Sequence, residues 1–258
     1  MPFQIEPFQE DPQLLDAHLK YLVPPLVDAY LQHLQIHRDA PKKPKGTSLS
    51  NAVGRILYTF CKVRGEKVVI GFLNNEPRYL ELILVRVEQG LEATRSENEQ
   101  REQESISWEE RYILLLWLSH LMLAPFDLAS ISKPSTLPVS IQYLDLPAGL
   151  PAIAARVIPL CIKQLSSVTR ERDAAALLLA RLCIRPDMRS IGILDAIAQW
   201  ALSEFNDEIS KHRNVHQMHG VLSFISRLVG SANHEELGDL LFAIYRCCQS
   251  ILDKDKLC

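Results

Sequence analysis

The chain has 258 residues, 47% hydrophobic and 23% charged, with a formal net charge of -3. This is globular composition, which excludes the disordered class, and the small charge excludes a global attraction for nucleic acid or acidic membranes. The length exceeds one ordinary compact core, so one extended array or two domains is expected.

The start, Met1-Pro-Phe-Gln-Ile-Glu6, lacks the basic region and apolar run of an export signal. The longest apolar stretch, residues 112–124, contains His120 and falls short of the ~20 residues a membrane span needs. Six cysteines occur, Cys61, Cys161, Cys183, Cys247, Cys248 and Cys258, and none forms a C-x-x-C pair. They read as reduced thiols packed as small hydrophobes in a cytosolic protein, and neighbours such as Cys247 and Cys248 diverge on a helix.

Strand signals are nearly absent. Only residues 67–73 look β-like, and that segment is too isolated to build a sheet. An amphipathic helix is expected over 11–22 through Leu14, Leu15, Leu19 and Leu22, broken by Pro24-Pro25, with a second helix over 26–37. Residues 38–47 form a basic, proline-containing linker. A helix over 48–63 ends near Gly65, and Pro77 opens another that runs through Val87 toward Gly90.

Residues 92–106 are polar without an apolar face and read as a loop. The composition then changes. Ser107 and Glu110 have the spacing of a capping box, with Ser107 capping and Glu110 reaching back to its amide. The helix that follows is apolar on nearly every face to Leu123, so it must pack on more than one side, and Pro125 stops it. Residues 130–147 connect onward.

Five helices are expected after that, over 151–166, 171–184, 187–205, 212–228 and 233–252. Pro151 suits a first turn, Pro186 separates two helices, Asp187 is a natural cap, and Asn233 with Glu236 forms a second capping box. The centres fall about twenty residues apart, so a helix pair recurs every ~40, the period of HEAT and armadillo repeats. Each pair buries its apolar face only by stacking on its neighbours. The expected fold is therefore an all-α, HEAT/armadillo-like solenoid. Its amino-terminal helices occupy 1–105 and its stacked repeats 107–258, in one continuous array.

Catalytic signatures are missing. The sequence has no Walker, dinucleotide, HExxH or nucleophile-elbow motif, and its ten glycines do not cluster into a phosphate cradle. One constellation stands out. Glu208, His212, His216 and His219 share helical spacing, and imidazoles suit zinc, which would point to a metal-dependent hydrolase. The alternative is a polar helix face, and Lys211 and Arg213 would repel a cation. Glu109-Glu110 and Glu235-Glu236 sit in first helical turns, where they complement the helix dipole. Trp108, Trp117 and Trp200 read as core anchors. No catalytic, cofactor-binding or metal residue is assigned.

Three segments carry a resemblance. Tyr58-Thr-Phe-Cys-Lys-Val-Arg-Gly65 comes first. Trp108-Glu-Glu-Arg-Tyr-Ile-Leu-Leu-Leu-Trp-Leu-Ser119 with Pro125-Phe-Asp-Leu128 follows, then Arg172-Asp-Ala-Ala-Ala-Leu-Leu-Leu-Ala-Arg181 with Arg185-Pro-Asp187. In order and spacing they resemble tubulin-folding cofactor D, whose members are helical-repeat proteins several times longer, so this chain is expected to be an amino-terminal portion. The resemblance implies capture of β-tubulin. It also implies assembly and disassembly of the αβ-tubulin dimer with cofactors C and E and an Arf-like small GTPase, and a part in stimulating GTP hydrolysis by tubulin. It further implies a cytoplasmic, microtubule-associated, non-enzymatic protein. A general helical-repeat adaptor explains the architecture but not the three segments. Within them Tyr112, Leu116, Trp117, Ala175 and Leu178 read as packing positions. Arg111, Arg172, Asp173 and Asp187 read as an Arg–Asp network tying successive helices together, with a partner site as the alternative.

Overall fold

The structure, a computed structural model, describes residues 2–36, 48–93, 106–132, 144–205 and 214–255. The linker expected over 38–47 lies outside the described residues, as do 94–105 of the polar loop and 133–143 of the later connection. Every element formed by the described residues is helical, and none is a strand. The chain divides into two compact units, Met1–Ala124 and Pro125–Cys258.

The first unit holds α1 (Pro2–Ile5), α2 (Asp16–Ile36), α3 (Leu49–Arg64), α4 (Glu66–Ile70), α5 (Leu80–Ala93) and α6 (Trp108–Leu121). In it α3 packs on α2, α4 and α6, and α5 packs on α6.

The break expected at Pro24-Pro25 does not occur, because α2 runs through both prolines. Two missing N–H donors release the carbonyls one turn earlier, at Lys20 and Tyr21, and both of those residues are exposed, so water can take the bonds. Meanwhile Leu19, Val23, Val27, Tyr30, Leu31 and Leu34 form one buried stripe that continues across the pair. Burying each large apolar side chain is worth about 1.5–3 kcal/mol, which exceeds the roughly 3 kcal/mol an interior proline costs once several are counted. Packing decides.

The β-like segment at 67–73 forms no strand either. Glu66–Ile70 closes as α4, with Val69 and Ile70 buried. Gly90 does not end its helix, since α5 continues to Ala93; a side chain there would run into Ile106. The apolar helix after Ser107 is enclosed as expected. Tyr112 to Ser119, Leu121 and Met122 are all buried, and α6 stops before Pro125.

The second unit holds α7 (Leu128–Ile131), α8 (Ala152–Gln164), α9 (Glu171–Ile184), α10 (Pro186–Ser190), α11 (Ile193–Ser203), α12 (Val215–Ser231), α13 (His234–Leu237) and α14 (Asp239–Asp255). Its centre is α9, which packs on α8, α10, α11 and α12. Its residues Ala174 to Ala180 are all buried.

Helix α9 spans the predicted 171–184 residue for residue, and Pro186 does separate it from the next helix. The single helix expected over 187–205 is two, because Gly192 sits at φ 83, a left-handed conformation that costs other residues about 1–2 kcal/mol. Gly238, at φ 43, splits the expected 233–252 helix into α13 and α14 in the same way. The capping box at Asn233 is present in full, and the Asn233 amide donates to Glu236 Oε2 at 2.9 Å. Pro151 precedes α8 as its cap residue instead of lying in the first turn.

Candidate functional site

Among the described residues of the first unit, the most deeply buried charged group is Glu110, only 1% exposed. Four helices meet at it. From α2, the Tyr30 hydroxyl donates to Glu110 Oε1 at 2.7 Å, and from α5 the Arg86 Nε donates to the same oxygen at 3.1 Å. Arg86 Nη2 donates onward to Ser50 Oγ of α3 at 3.2 Å. Gly54 of α3 admits this contact, for a Cβ there would stand 2.7 Å from the Glu110 Cα.

The electrostatics follow from burial. Desolvation, then the Glu110 charge, pushes the Tyr30 phenol well above its usual range, so it stays a donor. Desolvation works against the Arg86 cation, but Glu110 and Tyr30 outweigh it and raise its pKa. Glu110 Oε2 has no hydrogen-bond partner among the described residues.

This corrects the capping box expected at Ser107. Ser107 Oγ does accept the Glu110 amide at 3.2 Å, but the Glu110 carboxylate turns inward instead of reaching back. The Ser107 amide donates to Asn51 Oδ1 at 2.8 Å. A carboxylate used by a tyrosine and an arginine from two other helices ties helices together, and it is sealed from any partner molecule.

The aromatic residues of the matched segments are packing groups too. Tyr58 stands edge-on to Trp108 and Tyr112, at centroid distances of 4.7 and 5.5 Å. The Trp117 indole N–H donates to the Asn74 carbonyl at 2.6 Å, and the Tyr112 hydroxyl donates to Glu66 Oε2 at 3.0 Å. Leu116, Ala175 and Leu178 are buried, as is Trp200, while Trp108 is half-exposed.

Of Arg111, Arg172, Asp173 and Asp187, the last does most. It does not cap α10. Its Oδ2 accepts the Leu128 amide of α7 at 2.8 Å, and its Oδ1 pairs with Arg185 Nε at 2.9 Å. Arg185 Nη2 donates to the Phe126 carbonyl at 2.5 Å, so the ion pair clamps residues 126–128 onto the α9–α10 junction. Arg172 and Asp173 approach at 3.9 Å, and the Ser223 hydroxyl of α12 donates to Asp173 at 3.4 Å. Arg111 donates to the Ile106 carbonyl at 3.4 Å. In the second unit Arg185 is a linking arginine, which the sequence placed inside a matched segment without a role.

Glu208 and His212 lie outside the described residues. Asn214 has extended ψ of 136 and caps α12 by accepting the His216 amide at 2.9 Å. Helix α12 therefore begins at Val215, after Asn214. His216 and His219 are exposed on the first turns of α12. Among the described residues no three His, Cys, Asp or Glu side chains converge into a group that could hold a metal ion.

Cys61, Cys161 and Cys183 are buried, Cys247 and Cys248 are half-buried, and none of the five forms a disulfide. Burial raises the Cys161 and Cys183 thiols far above the ordinary range, with Cys183 adding to the effect on Cys161. No described helix is long and apolar enough to cross a membrane.

Packed helices with buried polar residues spent on tying them together, and no strand among the described residues, define an all-α helical-repeat protein of the armadillo class. Residues 5–205 match the family model described as tubulin-specific chaperone D-like, ARM repeat, and the chain belongs to that family. It is 26% identical over 251 aligned residues to the tubulin-specific chaperone D of Dictyostelium discoideum, covering 72% of this chain and 17% of that protein. It is 30% identical over 179 residues to the tubulin-folding cofactor D of Schizosaccharomyces pombe, covering 69% of this chain and 13% of that protein. The chain thus spans less than a fifth of the length of these relatives. No solved structure matches it. Helices α12 to α14 lie beyond the family match, although α12 packs directly on α9 inside it.

Proposed function

We propose that this chain acts in tubulin folding as a cofactor of the D type. In this reading it binds β-tubulin and takes part in assembling and disassembling the αβ-tubulin heterodimer, together with cofactors C and E and an Arf-like small GTPase. It works by holding proteins in the cytoplasm and at microtubules. Any effect on GTP hydrolysis by tubulin is a contribution made within the complex. The observation that carries this reading is the family match over residues 5–205, joined by two relatives whose names state a tubulin role.

The polar groups described above support a binding role over a catalytic one. Glu110, Arg86, Arg185 and Asp187 are largely buried and spent on links between elements. Stacked helices present broad surfaces suited to a large folded guest.

The test is affinity capture of the tagged chain from cell extract, followed by partner mass spectrometry and binding of purified β-tubulin. Enrichment of β-tubulin, the small GTPase or cofactors C and E is expected. A partner set with no tubulin-pathway protein, and no binding to purified β-tubulin, would favour a general helical-repeat adaptor.

A further inference from the structure

We draw no further inference here: the strongest candidate, the exposed stripe of Phe242, Tyr245 and Leu252 along α14, is an unpartnered apolar helix face, and nothing in the structure shows what covers it.

Discussion

The Tyr30 hydroxyl donates to the Glu110 carboxylate at 2.7 Å across 80 residues of chain, with both side chains buried. Arg86 shares the same oxygen, so the carboxylate is the joint of α2, α5 and α6. Removing one member of a buried ion pair strands the other. Glu110→Ala should therefore cost about 3–5 kcal/mol, while Tyr30→Phe, which deletes one bond to a charged acceptor, should cost about 1.5–3 kcal/mol. Replacing both charges, in Glu110→Leu with Arg86→Met, should lose less than Glu110→Ala alone. Urea unfolding of the three variants checks the order, and equal losses for the single and double charge replacements would refute it.

The Arg185–Asp187 pair should behave similarly in the second unit. Its side chains are 7% and 11% exposed, and Asp187 also holds the Leu128 amide. Asp187→Ala leaves a buried guanidinium and an unpaired amide, and a loss of about 3–5 kcal/mol is expected. Hydrogen exchange should show the Leu128 amide losing protection in Asp187→Ala, which removes its acceptor. Unchanged protection there would mean that the clamp does not hold α7.

Two glycines should respond with opposite signs. Gly54→Ala drives a methyl into the Glu110 backbone and should destabilise by about 1–3 kcal/mol. Gly230 lies in α12 with nothing within 4 Å of the added carbon, so Gly230→Ala should stabilise by up to about 0.5–1 kcal/mol. Thermal melts compare them directly.

Thiol chemistry should separate the cysteines by burial. Under native conditions a disulfide reagent should modify Cys247 and Cys248 before Cys61, Cys161 or Cys183, which should react only on unfolding. Peptide mapping reads the order. Because Cys161 and Cys183 have folded pKa values above their unfolded ones, stability should be unaffected by them below about pH 8.5 and should fall as the pH rises beyond it. Cys183→Ala should blunt that alkaline fall.

The exposed Asp16–Arg64 pair supplies an acidic counterpart. Arg64 Nη2 donates to Asp16 Oδ2 at 2.7 Å, and this hydrogen bond holds the Asp16 carboxyl below its ordinary value. A depressed folded pKa means that the contribution exists above the unfolded value of about 3.9 and vanishes as the pH falls through the folded one. Asp16→Asn should lower the melting temperature slightly at neutral pH and converge with wild type in acid. High salt should shrink the difference, as for any exposed pair.

Local signals were legible where a residue's neighbours in sequence set its state. The Ser107 and Asn233 caps, the helix over Glu171–Ile184 and the enclosure of Tyr112 to Ser119 all follow from spacing. Elsewhere the deciding partner lies far along the chain. Glu110 looked like a capping residue because Ser107 stands three positions before it, but Tyr30 and Arg86 claim its carboxylate. Asp187 looked like the cap of its own helix and instead serves Leu128, 59 residues earlier.

The sequence by itself determined the helical class, the helical-repeat character and the apolar faces. These depend on interactions within a few turns, where 3.6-residue periodicity and capping act. The tertiary structure alone decided that α2 passes through Pro24-Pro25 and that Gly192 and Gly238 divide helices. It also decided which acidic groups became joints between them. Those outcomes balance a local cost against burial and charge pairing with distant residues, and that balance is settled only when the helices pack.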